Sequence, residues 1–188
     1  VESVNGLFLD LNCAIHPCCR KIAMENYKAH KKNQIENRMI NEVLLYINKL
    51  VTLINPNLLY IAIDGVPPRA KIEQQRTRRF HSVDEKNTLL KINQRFGEVS
   101  DNSNSIDTNI ITPGTQFMHA LHNKIIHHLE TNPIYHTNPD GTPIKVIFSG
   151  YNVPLEGEHK ILQYLKGNNE EGQWQNNDMI MIYGLDAD

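Results

Sequence analysis

Four short runs, at 7–11, 58–63, 145–149 and 179–183, are apolar at consecutive positions rather than at alternate ones. Such runs are expected of strands buried on both faces, as in a parallel sheet covered by helices. The segments between them keep a different period. Met39, Val43, Leu44, Ile47, Leu50 and Val51 form an apolar stripe that predicts a helix over 38–53. Phe117, Leu121, Ile125 and Leu129 do the same for 116–130, and Ile161, Leu162 and Leu165 for 158–166. Strands alternating with helices predict an α/β fold with a mostly parallel sheet flanked by helices. Two polar segments, 97–109 and 168–177, are predicted as loops, the first of them mobile, and Asn138-Pro139-Asp140-Gly141 predicts a turn before the third strand. No internal repeat interrupts this order.

With 188 residues the chain suffices for one domain, a single α/β core over 1–188, and not comfortably for two. No stretch of about 18 apolar residues is present, so no membrane span is expected. The first residues lack the charged and apolar regions of a signal peptide. Both ends read as cut from a longer protein, since the chain starts almost on a strand and stops just after one. A formal net charge of -2 excludes a generally basic nucleic-acid binder, so any such contact must come from a local patch. Cys13, Cys18 and Cys19 form no CxxC and read as reduced thiols of an intracellular protein rather than as a disulfide framework or zinc site.

The carboxylates change the picture most. Asp10 closes the first apolar run, Asp64 follows the second, Glu156 and Glu158 follow the third, and Asp186 and Asp188 follow the fourth. In open α/β sheets ligands bind outside the carboxyl ends of the strands, so all six acids are expected on one edge of one sheet. Gathering carboxylates without bases is electrostatically unfavourable unless divalent cations neutralise them. Mg²⁺ and Mn²⁺ prefer such hard oxygen ligands. Two ions roughly 4 Å apart can clamp the attacking and leaving oxygens of a displacement at phosphorus. Each acid has a plainer reading: Asp10 or Asp64 as a cap or turn residue, Glu156 and Glu158 as acids at a helix N-terminus, Asp186 and Asp188 as a solvated loop.

Directly after Asp64 come Pro67 and Pro68, which suit a turn and a helix start. Lys71, Gln75, Arg78 and Arg79 then fall at helical spacing on one face. Arginine forks and a lysine point charge suit a phosphate group. A solvated basic face is the alternative.

At these residues the sequence resembles the Xrn family of 5′→3′ exoribonucleases. The resemblance rests on 60–80 (YIAIDGVPPRAKIEQQRTRRF), 9–18 (LDLNCAIHPC), 111–118 (ITPGTQFM), 146–160 (VIFSGYNVPLEGEHK) and 182–188 (IYGLDAD), in family order across nearly the whole chain. It implies a PIN-like or flap-nuclease-like core. It also implies metal-dependent, processive removal of mononucleotides from single-stranded RNA bearing a 5′-monophosphate, with Mg²⁺, or Mn²⁺, as cofactor. On it, Asp10, Asp64, Glu156, Glu158, Asp186 and Asp188 are catalytic metal ligands. Lys71, Gln75, Arg78 and Arg79 form the 5′-phosphate pocket, and His16 stacks on the first base. By its surroundings alone, His16 before Pro17 reads as an ordinary loop histidine.

Cys13 stands where the family usually has Gly, Pro67 where it has Ala, and Leu155 where it has Gly, which predicts a different backbone in that loop. The resemblance further implies that the chain stops before another acid and a distant stacking aromatic, so that this piece alone is inactive or poorly folded. His119, His122, His127 and His128 gather on one predicted helix, without a carboxylate or Cys at useful spacing, and read as surface histidines. Trp174 falls in a polar loop. Two further readings stay open, a flap-type DNA nuclease and an inactive module that captures RNA 5′-ends.

Overall fold

The computed structural model describes residues 4–25, 32–95, 108–170, 174–175 and 177–184. The chain divides into two compact units, Val1–Val66 with Asp107–Asp188, and Pro67–Ile106.

The first unit is built on four strands, β1 (Gly6–Asp10), β2 (Leu58–Ala62), β3 (Lys145–Ser149) and β4 (Ile180–Tyr183). They form one sheet in the order β3-β2-β1-β4, with every neighbouring pair parallel. The register sets Asp10 opposite Ala62, Ala62 opposite Ser149, and Leu9 opposite Tyr183. All four strands therefore end at the same edge. Helices α1 (Asn12–Glu25), α2 (Lys32–Ile54), α4 (Gln116–Thr131) and α5 (Gly157–Glu170) accompany the sheet. The Thr115 hydroxyl caps α4 by accepting from Met118 N–H.

The two central strands are as apolar and buried as their sequences predict, with every residue of β2 buried. Side chains alternate between the faces. Phe8, Leu58, Tyr60 and Ala62 pack with Ile161 of α5, and Ile147, Tyr164, Leu165 and Trp174 close over them. Leu7, Leu9, Leu59 and Ile61 on the opposite face are excluded from solvent. Helices α1, α2 and α4 bury their own apolar stripes, including Ile15, Ile22, Met39, Val43, Ile47, Leu121 and Ile125.

Several sequence expectations are corrected here. β3 and β4 were expected to be buried on both faces. They are edge strands, and Ile180, Met181 and Ile182 are exposed. A hydrophobic run marks a strand without revealing its place in the sheet. The helix expected over 158–166 runs through Glu170, so the polar segment 168–177 begins as helix. Trp174 leaves that loop to set its ring 6.0 Å from Phe8, a packing role. His16 and Pro17 lie inside α1, not in a loop. Of the four histidines, His122 and His128 are half-buried rather than on the surface. His128 shares the Asn48 side-chain oxygen with the Tyr135 hydroxyl. The predicted loop at 97–109 falls mostly outside the described residues. Cys13, Cys18 and Cys19 form no disulfide among the described residues. Among the described residues no helix is long and apolar enough to cross a membrane.

The second unit contributes α3 (Arg69–Arg95), 27 residues long and much longer than the basic motif required. Its first turn follows Pro67 and Pro68, and Arg69 pairs with Glu73 one turn on at 3.5 Å. The Arg76 guanidinium lies 5.9 Å from the Phe80 ring centre.

Candidate active site

Asp10 is the last residue of β1, and Asp64 stands two residues beyond β2. Both approach one point, Gly157, where α5 begins. The Gly157 N–H donates to Asp64 Oδ1 at 2.7 Å. A Cβ at Gly157 would lie 2.5 Å from Asp10 Oδ1. The glycine thus lets the helix start between the two carboxylates. Asn12 ties the same pair from the other direction: its N–H donates to Asp10 Oδ1 at 3.3 Å, and its side-chain oxygen accepts from Asp64 N–H at 3.3 Å. Cys13 Sγ bonds the Asp10 carbonyl at 2.7 Å.

Glu156 precedes Gly157 and is held in the group by loop pairing. The Gly65 N–H donates to the Leu155 carbonyl at 2.8 Å, and the Leu155 N–H to the Val66 carbonyl at 3.1 Å. The segments after β2 and β3 are thereby joined beside Asp64. Gly65 admits no side chain, because a Cβ there would lie 1.8 Å from the Val153 carbonyl oxygen. Leu155 adopts φ 87°, the left-handed region that favours glycine. Leu155→Gly in the full-length protein is therefore expected to stabilise the fold by about 1 kcal/mol, the strain removed outweighing the lost half-buried contacts. The guanidinium unfolding midpoint measures this, and an unchanged or lower midpoint refutes it.

Glu158 lies on the first turn of α5. His159 Nδ1 is 3.6 Å from Glu156 Oε2 and 3.5 Å from Glu158 Oε1. One ligand atom from each of Glu156, Glu158 and His159 falls within 4.8 Å of the others, close enough to hold a cation. His159 was not singled out in the sequence, although it is part of the motif that carries both glutamates. At the fourth strand, Gly184 follows Tyr183, and a Cβ there would be 4.0 Å from Asp10 Cβ. The hydroxyl of Tyr183 hydrogen-bonds that of Tyr46 on α2, which anchors this strand end. Asp186 and Asp188 lie outside the described residues.

The electrostatics match a crowd of acids. Burial raises the Asp64 pKa; the Gly157 N–H opposes this and the Glu156 charge adds to it. The buried Lys160 beneath them is pushed down to about 8 by desolvation, against the upward pull of Asp64 and Asp10. Oxygen donors of this kind suit a hard divalent cation.

His16 is exposed on α1 and lines an open groove of about 510 Å³ with Pro17, Arg20, Lys21, Met24 and Glu25. Within α3, Lys71 and Gln75 are half-buried and Arg78 is exposed; the Arg79 side chain is outside what is described.

The carboxyl edge of a parallel α/β sheet thus brings Asp10 and Asp64 to Gly157, beside a group of Glu156, Glu158 and His159 that could hold a cation. The chain belongs to the family described as XRN 5′-3′ exonuclease N-terminus, whose profile matches residues 1–188. It is similar to the 5′-3′ exoribonuclease 2 of Eremothecium gossypii, with 38% identity over 197 residues, covering 98% of this chain and 20% of that protein. Its similarity to the 5′-3′ exoribonuclease 2 of Cryptococcus neoformans var. neoformans is 36% over 200 residues, covering 98% of this chain and 17% of the relative. For that of Aspergillus fumigatus it is 34% over 203 residues, covering 100% and 18%. The chain thus spans about a fifth of the length of the curated relatives it matches.

Proposed function

We propose that the protein containing this chain is a metal-dependent 5′→3′ exoribonuclease. It degrades 5′-monophosphorylated single-stranded RNA processively to mononucleotides. The observation that carries the reading is the meeting of Asp10 and Asp64 at Gly157, next to Glu156, in a chain of this family. Asp10, Asp64, Glu156 and Glu158, with Asp186 and Asp188, would hold the divalent cations, Mg²⁺ or Mn²⁺. When bound, such ions stabilise charge at phosphorus and lower the pKa of a bound water.

The chain's own residues supply the rest. Gly157 and Asn12 hold Asp10 and Asp64 in place before any substrate arrives. Lys71, Gln75, Arg78 and Arg79 would grip the terminal phosphate by charge-assisted hydrogen bonds. That grip fixes the RNA end, and each cleavage creates a new 5′-phosphate of the same kind. His16, exposed on its groove, would stack on the first base.

The full-length protein with Mg²⁺ and matched 5′-monophosphate RNA, 5′-triphosphate RNA and DNA separates the readings. The monophosphorylated RNA is expected to decay at least tenfold faster than the other two. Arg78→Ala is expected to raise the KM for it about tenfold, the loss of one charge-assisted contact. Equal decay of both RNAs rejects the phosphate pocket, preferred decay of DNA favours the flap-type nuclease, and binding without decay favours the end-capturing module.

A further inference from the structure

Lys160 is 4% exposed, which is rare for a lysine and unfavourable unless the ammonium finds partners. Among the described residues it forms no ion pair with a carboxylate. Its Nζ donates instead to the Ile63 carbonyl at 2.6 Å and to the Gly150 carbonyl at 2.9 Å. Neither acceptor is incidental. Ile63 is the residue before Asp64, and Gly150 is the first residue after β3, where the loop to Glu156 starts. Lys160 itself is one turn into α5, and its N–H donates to the Glu156 carbonyl at 3.1 Å. A single side chain therefore ties the ends of β2 and β3 to the helix that follows Glu156 and carries Glu158.

The surroundings explain why a lysine, rather than an apolar residue, can occupy this place. The ammonium serves the Ile63 carbonyl and shares the Gly150 carbonyl with the Val153 N–H, which donates to it at 3.1 Å, and a buried carbonyl left unpaired is costly. Asp10 and Asp64 lie close enough to act on its charge. The Tyr60 hydroxyl donates to the Lys160 carbonyl at 3.5 Å, which docks this turn of α5 on the sheet. The segments that bear acids on two separate strands also meet through Gly65, Val66 and Leu155 and through the Gly157 N–H on Asp64.

We infer that Lys160 is a positioning residue for the cation site: by clamping the Ile63 and Gly150 carbonyls from α5, it sets the spacing of Asp64, Glu156 and Glu158. This rests on the proposed metal-dependent reading. Groups that orient metal ligands typically matter by 10- to 100-fold in metal affinity or activity.

The test uses the full-length protein and Lys160→Met, which keeps the length of the side chain and removes its donors and charge. Two readouts are taken: the rise in Tm that Mn²⁺ produces, and the Mn²⁺ concentration giving half-maximal RNA decay. A residue that only supports the fold lowers the metal-free Tm and leaves the Mn²⁺-induced rise intact. A positioning residue removes most of that rise, which depends on metal affinity. The expected result is loss of most of the Mn²⁺-induced rise, at least a tenfold higher Mn²⁺ requirement, and a KM for RNA within about twofold of the parent. An intact rise, or a lower Mn²⁺ requirement, overturns the inference, the latter because Lys160 would then only compete with the cation. If Lys160→Met does not fold, Lys160→Gln is read in the same way; if neither folds, Lys160 is a requirement of the fold and the inference is overturned too. Absence of any Mn²⁺ effect in the parent protein would instead reject the metal-dependent reading itself.

Discussion

Asp64→Asn in the full-length protein is expected to lower kcat on 5′-phosphorylated RNA by about 10³-fold, the effect of removing several kcal/mol of metal-borne charge stabilisation. The substitution is close to isosteric. The Gly157 N–H that donates to Asp64 Oδ1 can donate equally to an amide oxygen, so the junction of β2 and α5 is retained. Stability gives an independent sign. The folded-state pKa of Asp64 is raised, chiefly by burial, so at neutral pH the fold disfavours this carboxylate relative to the unfolded chain. Neutral Asn should therefore leave the metal-free Tm unchanged or raise it, while cleavage collapses. Single-turnover decay at saturating RNA, with RNA binding measured alongside, separates lost chemistry from lost binding. Cleavage within tenfold of the parent would remove Asp64 from the ligand set.

Gly157→Ala carries the second largest effect, and its physical basis differs. The site loses no charge, and what is disturbed is the Asp10 oxygen to which the Asn12 N–H donates. The added methyl would fall 2.5 Å from Asp10 Oδ1, so the Asp10 carboxylate must move away from the start of α5. Alanine is at least as compatible with a helix as glycine, and Gly157 opens α5, so Tm should stay within a few degrees. Cleavage should fall about 10- to 100-fold, the range for disturbing the orientation of a metal ligand, with a higher Mg²⁺ requirement. Titration of decay rate against Mg²⁺ shows this directly. An unchanged rate would mean that the precise setting of Asp10 against α5 is not needed.

Much of the architecture was legible in the chain. The central strands follow from apolar runs with no alternation, and α2 and α4 follow from stripes at helical spacing. Asp10, Asp64 and Glu156 could be placed at one edge because parallel strands all end on the same side. Other features were not legible. The exposure of β4 depends on which strand lies at the edge, a property of strand order that a local pattern does not carry. The burial of Trp174 depends on Phe8, more than 160 residues earlier in the chain. His16 before Pro17 reads locally as a loop, but α1 contains both.

By itself, then, the sequence determined the strands, most of the helices and the acids that close or follow the first three strands, since each depends on neighbours a few residues away and on the fixed hand and direction of parallel βα units. Only the tertiary structure decided how the carboxylates meet. Gly157 lies between Asp10 and Asp64, Asn12 bridges them, and Lys160 clamps the carbonyls at Ile63 and Gly150. These contacts join residues up to 147 positions apart (Asp10 to Gly157), through space left by a missing side chain and through backbone carbonyls that every residue possesses. Such features have no pattern of their own along the chain, so the acids at the strand ends could be read in advance, and the spacing between them could not.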